Sequence, residues 1–246
     1  MKDSYVKPII GIVGRSFESD GASVIELNED YRLAVVKAGG LPVILVPTDI
    51  TRYGINNLDS EIGHLSAEEK TSLLSLLELC DGFLITGGSR WYEFDEVICT
   101  YAINNDVPIL GICLGMQIMA SMDHFCGDLR SDQTIKNCTN INHCQQKRDY
   151  VHKINILPGK LMEILDIRQI KVNSRHDFHV EPKDWFIVDA YSEDGLIEAI
   201  DIPNHSFALG VQWHPENMIF YDPVMLKLFK SFVNAARSYK NLKDIC

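Results

Sequence analysis

Several kinds of segment are missing from this 246-residue chain. It contains no C-x-x-C pair, no low-complexity block, no internal repeat and no run of about 18 apolar residues, the length that a membrane-spanning helix needs. Its seven cysteines are odd in number and scattered, which argues against a disulfide framework. The apolar run at 8–14 is short for a signal peptide, and no small-residue cleavage site follows it. We therefore expect a cytoplasmic protein in a reducing compartment.

Positive charge is also in short supply. The chain has 23 Lys and Arg residues against 34 Asp and Glu residues, which gives a net charge of −11. A protein with this balance is not expected to bind the phosphate backbone of nucleic acids. No membrane association is expected either. Hydrophobic residues make up 46% of the chain, which is ample for a buried core at this length. We expect a single domain over residues 1–246.

The order of apolar patterns indicates the fold class. Buried strands are predicted at 8–13, 41–46, 81–86 and 108–112, alternating with helices at 31–38, 66–79, 95–104 and after 113. In the second helix, Leu73, Leu74, Leu77 and Leu79 are expected to face the core. This alternation is typical of a doubly wound α/β fold, with a mostly parallel sheet flanked by helices.

The second half of the chain changes character. The polar stretch at 124–150 is expected to be a loop or excursion, and the stretch at 15–30 is expected to be polar with a turn at Asp20-Gly21. Short β-like runs then follow at 151–157, 169–172, 185–190, 196–200 and 207–211. Because these runs lie close together, some antiparallel strands are expected there. A final helix is predicted from Asp222-Pro223, a capping residue followed by proline.

The segment Gly111-Ile-Cys113-Leu-Gly115 has the G-x-C-x-G pattern, the cysteine version of the G-x-S-x-G nucleophile elbow. In such an elbow a strand turns abruptly into a helix, and glycines are needed because side chains there would collide with neighbouring backbone. A thiol at a helix N-terminus is favoured as thiolate. The alternative interpretation is an ordinary buried cysteine in a strand-to-helix turn.

A cysteine nucleophile needs a base, and the base needs a group that orients it. The segment Trp213-His214-Pro215-Glu216 follows a predicted buried strand, and Pro215 disfavours a helical conformation for His214. In extended backbone, residues i and i+2 point the same way, so Glu216 is expected to accept the second ring proton of His214. The alternative is a surface His-Glu pair at a strand end.

With these residues in place, the chain resembles the class I glutamine amidotransferase superfamily. Within it, the chain is most similar to the gamma-glutamyl-gamma-aminobutyrate hydrolase-like family, also classed as peptidase C26. The elbow and the block 210–216 carry the resemblance most specifically; weaker blocks in the right order are 8–11, 38–42, 81–82 with 87–88, 172–176 and 194–199.

The resemblance implies a flavodoxin-like fold and a Cys113, His214 and Glu216 triad that cleaves a gamma-glutamyl amide through a glutamyl thioester. It implies backbone N–H groups of Leu114 and Gly88 as oxyanion donors. Gln117 is expected to bind the glutamyl head group or to face solvent, and His176 is expected on the substrate side or at the surface, like His179. The triad mechanism requires no cofactor or metal ion.

Departures from the family pattern leave the leaving group open. The family often has arginine after the nucleophile, but here that residue is Leu114, as in many glutaminase domains of true amidotransferases. Three functions are therefore considered: a free-standing gamma-glutamyl hydrolase, a glutaminase subunit that supplies ammonia to a separate synthase, and a non-catalytic binding protein. A small gamma-glutamyl compound or glutamine is the expected ligand, and a homodimer is possible on this sequence.

Two further groups of residues are candidates for a metal site or for the wall of a pocket. Histidines and cysteines near 124–150 could suggest a metal site, but their spacing fits no zinc pattern, and no metal site is predicted; they are His124, Cys126, Cys138, His143 and Cys144. Trp91 and Tyr92 follow the Gly87-Gly88 turn, where they would either wall the leaving-group pocket or pack ordinarily.

Overall fold

A computed structural model describes residues 6–49, 65–89, 91–122, 134–136, 139–145 and 149–245. Its centre is a nine-stranded sheet, whose strands are β1 Ile9–Val13, β4 Leu41–Leu45, β5 Gly82–Ile85, β6 Ile109–Ile112, β8 His152–Ile156, β9 Gln169–Val172, β11 Ile187–Ser192, β12 Ile197–Asp201 and β13 Ala208–Val211. Across the sheet they lie in the order β4-β1-β5-β6-β13-β12-β11-β8-β9.

The sheet has a parallel half and an antiparallel half. Strands β4, β1, β5, β6 and β13 run parallel to one another. From β13 onward, each pair (β13 with β12, β12 with β11, β11 with β8, β8 with β9) is antiparallel. Strand β13 is therefore the junction between the two halves, which places the antiparallel strands in the part of the chain where the sequence predicts them.

Helices cover both faces of the sheet. They are α1 Glu29–Ala38, α2 Ala67–Leu77, α3 Glu93–Asn104, α4 Leu114–Ala120, α5 Lys160–Leu165 and α6 Pro223–Lys243. One core cluster joins α1, α5 and α6 to one face, and a second joins α2, α3 and α4 to the other. Successive residues of β6 alternate between the clusters, with Leu110 and Ile112 in the first and Ile109 in the second. The predicted doubly wound α/β fold is confirmed.

Two helix starts follow the local sequence signals. Ser66 caps α2 in a reciprocal capping box, in which its hydroxyl accepts from Glu69 N–H and the Glu69 carboxylate accepts from Ser66 N–H. Asp222 caps α6 by accepting from Val224 N–H at 3.0 Å, and Pro223 occupies the first helical position.

Strand β4 is less buried than predicted. It lies at the edge of the sheet and pairs with β1 alone among the described strands. Leu41, Val43 and Ile44 are 49%, 42% and 52% exposed. The prediction of a strand buried on both faces was wrong because an apolar run does not reveal whether a strand is central or at an edge.

The inward face of α2 is also narrower than predicted. Leu73 and Leu77 are fully buried, whereas Leu74 and Leu79 are 38% and 63% exposed. Leu73 and Leu77 are one helical turn apart and share a face, while Leu74 lies beside that face and Leu79 follows the helix end.

Several short elements escaped sequence analysis. The polar stretch at 15–30 contains a hairpin, β2 Arg15–Ser19 and β3 Ala22–Glu26, with its turn at Asp20-Gly21 as predicted; both turn residues have positive φ. Helix α5 and a small antiparallel pair, β7 Thr134–Lys136 with β10 Phe178–Val180, were not predicted. Most of the stretch at 48–65 and part of that at 124–150 lie outside the described residues.

No helix within the described ranges combines the length and apolar character required to cross a lipid bilayer.

Candidate active site

The site lies at the carboxyl ends of three neighbouring parallel strands. Gly87 and Gly88 follow β5, Cys113 follows β6, and His214 comes shortly after β13. Val211 of β13 is in register with Ile112 of β6, and the Cys113 N–H donates to the Val211 carbonyl at 2.8 Å. Parallel pairing therefore brings the glycine turn, the cysteine and the histidine to one edge, where functional groups of such sheets collect.

The backbone at Cys113 has the shape of a nucleophile elbow. Cys113 has φ 55° and ψ −106°, a positive φ that is uncommon for any residue but glycine. A Cβ on Gly111 would lie 2.7 Å from the carbonyl carbon of Gly115, and a Cβ on Gly115 would lie 2.2 Å from the Ile85 oxygen. Both glycines are thus required by close backbone approach, and they allow the strand to turn directly into α4.

His214 and Glu216 form the next contact. The His214 Nδ1 lies 2.8 Å from Glu216 Oε1, and Glu216 is completely buried. The backbone conformation that makes this contact differs from the prediction. Residues Pro215–Asn217 form a 3-10 turn instead of extended backbone. The turn, begun by proline, brings the carboxylate back to the imidazole of the residue two positions earlier.

The electrostatics favour a charged Cys113–His214 pair. Burial opposes the thiolate, but the charge of His214 and its hydrogen bond to the sulfur outweigh burial and lower the pKa of Cys113. Burial likewise opposes the imidazolium, but Glu216 and the thiolate raise the pKa of His214 to about 9. A thiolate beside an imidazolium is the reactive form of a cysteine nucleophile.

Tyr31, at the start of the helix predicted over 31–38, contacts the same site. Its hydroxyl accepts the Gly87 N–H at 2.9 Å and lies 3.5 Å from His214 Nδ1. Burial raises the pKa of Tyr31 well above its usual value, so its hydroxyl stays protonated. A tyrosine on an apolar helix face carries no local signal for this role, which is why sequence analysis missed it.

The two predicted oxyanion donors lie close together. A Cβ on Gly88 would sit 3.1 Å from Leu114 Cδ2, and the Leu114 N–H hydrogen-bonds the Cys113 sulfur. The N–H of Gly87 is engaged by Tyr31. The Gly87-Gly88 turn therefore lies beside Cys113 and the start of α4.

Gln117 and His176 are buried and share one hydrogen-bond partner. The Gln117 side-chain nitrogen donates to the Phe178 carbonyl at 3.0 Å and to Gln212 Oε1 at 3.2 Å. His176 Nδ1 lies 2.9 Å from the same Phe178 carbonyl, and its Nε2 lies 3.6 Å from Glu198 Oε1. Gln117 and His176 are 6% and 4% exposed, so neither is the solvent-facing residue of the alternative interpretation.

Trp91 and Tyr92 pack, partly buried, against the core cluster on the α2–α4 face. That contact matches the ordinary-packing interpretation of these two residues.

The cysteine and histidine positions near 124–150 are only partly described. His124, Cys126 and Cys138 lie outside the described residues. His143 is buried and Cys144 is exposed. The structure places His143 beside His152 and Glu198, with ligand atoms within 4.8 Å of one another. The four described cysteines, Cys80, Cys99, Cys113 and Cys144, are free thiols.

Comparison with known proteins identifies the family. The family model for peptidase C26 matches residues 91–216, just over half of the chain. A Schizosaccharomyces pombe protein named as a glutamine amidotransferase is 31% identical over 227 residues, which cover 89% of this chain and 85% of that protein. The chain belongs to the peptidase C26 family. The matched region contains Cys113, His214 and Glu216.

Further relatives agree with this family. Gamma-glutamyl-gamma-aminobutyrate hydrolase PuuD of Escherichia coli is 27% identical over 267 residues, covering 97% of each chain. Among solved structures, a Thermoplasma acidophilum protein named as a GMP synthase subunit superposes with a TM-score of 0.64 at 18% identity, covering 98% of this chain and 99% of that one. This C26 member is a hydrolase of the glutamine amidotransferase type, on the class I glutamine amidotransferase fold.

Proposed function

We propose that this protein is a cysteine-dependent hydrolase that cleaves the gamma-glutamyl amide bond of a small gamma-glutamyl compound and releases glutamate. The observation that carries the proposal is the continuous contact from Cys113 through His214 to Glu216 at one sheet edge. The relation to gamma-glutamyl-gamma-aminobutyrate hydrolases supports the gamma-glutamyl group as the substrate class.

In the proposed reaction, the Cys113 thiolate attacks the amide carbonyl carbon. The negative charge that develops on the carbonyl oxygen is stabilised by the N–H groups of Leu114 and Gly88, two residues that lie beside each other next to Cys113. The His214 imidazolium protonates the leaving nitrogen, so the amine departs and a glutamyl thioester remains. His214, now neutral, takes a proton from water, and the resulting hydroxide attacks the thioester and regenerates the thiolate.

Glu216 and Tyr31 position the base in this scheme. Glu216 accepts the Nδ1 proton of His214, which leaves Nε2 for the thiol and the leaving group. Because the Tyr31 hydroxyl already accepts the Gly87 N–H, the following N–H, that of Gly88, is assigned to the oxyanion. Gln117 and His176 are assigned to the glutamyl head group, on the side of Cys113 where the Phe178 carbonyl holds both.

Glutamate release from a panel of gamma-glutamyl amides, glutamine included, tests the proposal. We expect release from at least one member, abolished in Cys113→Ala and kept in Cys144→Ala, whose thiol is exposed and free. Hydroxylamine should intercept the thioester as glutamyl hydroxamate. Absence of release from every member, or equal release by Cys113→Ala, would overturn it.

A glutaminase subunit that supplies ammonia to a separate synthase is the second candidate. It is favoured by Leu114 after the nucleophile and by the superposition on a protein named as a GMP synthase subunit, of which 99% is covered. Its mark would be glutaminase activity that is low in the isolated chain and rises when a synthase partner is added. Full turnover of a gamma-glutamyl amine by the isolated chain would decide for the hydrolase.

A further inference from the structure

A second buried polar cluster lies behind the candidate active site. Glu198 on β12 is completely buried, and three imidazoles face its Oε1 atom. The Nε2 atom of His152 lies 3.3 Å away, that of His176 lies 3.6 Å away, and the Nδ1 atom of His143 lies 3.8 Å away. The rings of His152 and His176 are also close to that of His143, with centroids 4.6 and 4.8 Å apart.

In two of these rings, the nitrogen that points away from Glu198 has a partner that shows where the proton is. The tautomer, and so the nitrogen that faces Glu198 with a lone pair, follows from that partner. His152 Nδ1 lies 3.2 Å from the Lys153 carbonyl oxygen, which only accepts, so Nδ1 carries the proton and Nε2 of the neutral ring does not. His143 Nε2 lies 3.0 Å from the Asp194 carboxylate, so the proton is on Nε2. The Nδ1 lone pair faces both Glu198 and the Ser174 hydroxyl, which lies 3.0 Å away and would have to turn aside for an ion to bind.

Three lone-pair atoms therefore converge in a buried space. They are His143 Nδ1, His152 Nε2 and a Glu198 carboxylate oxygen, and His176 Nε2 lies 3.6 Å from the same oxygen, longer than an ordinary hydrogen bond. A fully buried carboxylate is disfavoured unless donors replace the water that it has lost, and the long contact with His176 replaces that water only in part. A cation between the three atoms removes both the repulsion and this penalty.

From this convergence we propose that His143, His152 and Glu198 bind a divalent ion of the zinc class. Two imidazole nitrogens with one carboxylate oxygen are typical of zinc, whereas magnesium and calcium prefer oxygen ligands. Tetrahedral coordination with bonds of about 2.0–2.1 Å separates ligand atoms by about 3.3 Å. The observed separations from Glu198 Oε1 are 3.3 Å to His152 and 3.8 Å to His143, and the three atoms lie within 4.8 Å of one another, so the two imidazoles would move closer together on binding the ion.

The surroundings of the cluster resemble those of built metal sites. Asp194 accepts from the outer nitrogen of His143 and is itself fixed by the Ser192 hydroxyl at 2.6 Å, an arrangement that orients a histidine ligand. The ion would join three separate parts of the chain: segment 139–145, the start of β8, and β12. The role assigned to the ion is therefore structural.

Cobalt binding to the full-length Cys113→Ser protein tests the site, because this variant removes the thiolate as a competing ligand. After dialysis against a chelator, we expect one equivalent of Co²⁺ with visible d–d bands typical of a tetrahedral site and no thiolate charge-transfer band. Elemental analysis of protein prepared with Zn²⁺ should likewise give one equivalent per chain.

Variants assign the ligands. His152→Ala and Glu198→Gln should lose the cobalt bands, whereas the matched control His179→Ala, a partly exposed histidine paired with Glu181, should keep them. X-ray absorption on the Zn²⁺-loaded Cys113→Ser protein, with no ligand changed, should show nitrogen and oxygen neighbours only and does not depend on the folding of a ligand variant. No bound equivalent, bands retained in both ligand variants, or sulfur in the shell would overturn the proposal.

Discussion

Both side-chain polar atoms of Asn173 form hydrogen bonds with the main chain of His214. Its side-chain oxygen accepts the His214 N–H at 2.8 Å, and its side-chain nitrogen donates to the His214 carbonyl at 2.9 Å. Asn173 is completely buried, and it follows β9 at the far edge of the sheet from β1. The Asn173 amide thus pairs with the N–H and the carbonyl of His214 as a neighbouring strand would. This pairing fixes the position of the His214 imidazole.

Asn173→Asp should therefore impair catalysis more than binding. A carboxylate oxygen in place of the amide nitrogen would face the His214 carbonyl, and two acceptors repel. We expect kcat for glutamate release to fall by about 10–100-fold with KM changing less, because His214 shifts relative to Cys113. Asn155→Asp, on β8 where the exposed side-chain oxygen accepts from Gln169, is the matched control and should leave kcat unchanged. Equal kcat in the two variants would contradict this role.

Glu216→Gln should lower activity by about 10²–10⁴-fold, because an amide neither holds the same His214 tautomer nor stabilises the imidazolium. The chain offers a matched control, since Glu181 lies 3.3 Å from the partly exposed His179 with the same two-residue spacing. Glu181→Gln should retain full activity. Steady-state rates of both variants measure the difference, and a similar loss in both would argue against a special role for Glu216.

The pH dependence of alkylation should separate Cys113 from Cys144. His214 lowers the pKa of Cys113, whereas burial and the Asp177 hydrogen bond raise the pKa of Cys144. At about pH 7, iodoacetamide should modify Cys113 first although Cys144 is more exposed, since the thiolate is the nucleophile. Mass spectrometry of the two peptides over a pH series measures this. Parallel pH profiles for the two thiols would contradict the shift.

His214 sets the upper pH limit of the same pair. Its pKa in the folded protein is raised to about 9, so the imidazolium and its stabilising contacts persist through neutral pH and are lost as pH rises through about 9. Formation of the thioester, which needs the imidazolium proton, should fall over that range. Single-turnover measurements between neutral and alkaline pH test this, and a rate that keeps rising past the His214 pKa would count against it.

Gly115→Ala should destabilise the fold and abolish activity. The new Cβ would lie 2.2 Å from the Ile85 carbonyl oxygen, so β5 and α4 would have to separate. We expect a loss of about 1–3 kcal/mol in the free energy of unfolding from overpacking. Gly21→Ala, at a hairpin turn with φ 76° and no atom within 4 Å, carries backbone strain alone and should cost less while leaving activity intact. Urea unfolding compares the two, and an equal cost would remove the steric argument.

Sequence reasoning reached the parts of this molecule that depend on neighbouring residues. The elbow glycines, the Ser66 capping box and the Asp222-Pro223 helix start are local patterns with local causes. It could not place β4 at an edge, since burial there depends on which strands lie alongside. Tyr31 and Asn173 reach His214 from 183 and 41 positions away, and no periodicity marks either contact.

The buried cluster around Glu198 shows the same limit. The sequence shows that His143 and His152 are histidines, but not that they lie beside Glu198. That arrangement arises only because β8 and β12 lie on either side of β11. Spacing rules for metal sites describe ligands that are close in the chain, so they do not detect a set assembled from separate strands.

The hydrogen bond from Cys113 N–H to the Val211 carbonyl has a consequence for how substrate preference can change. It ties the residue that would attack directly to the strand that leads to His214, through main-chain atoms that every amino acid possesses. Most side-chain replacements around the cleft should therefore leave the alignment of Cys113 and His214 unchanged. Residues of the loops and of the β2–β3 hairpin can therefore change, and the preference for a leaving group with them. The distance between Cys113 and His214 stays the same.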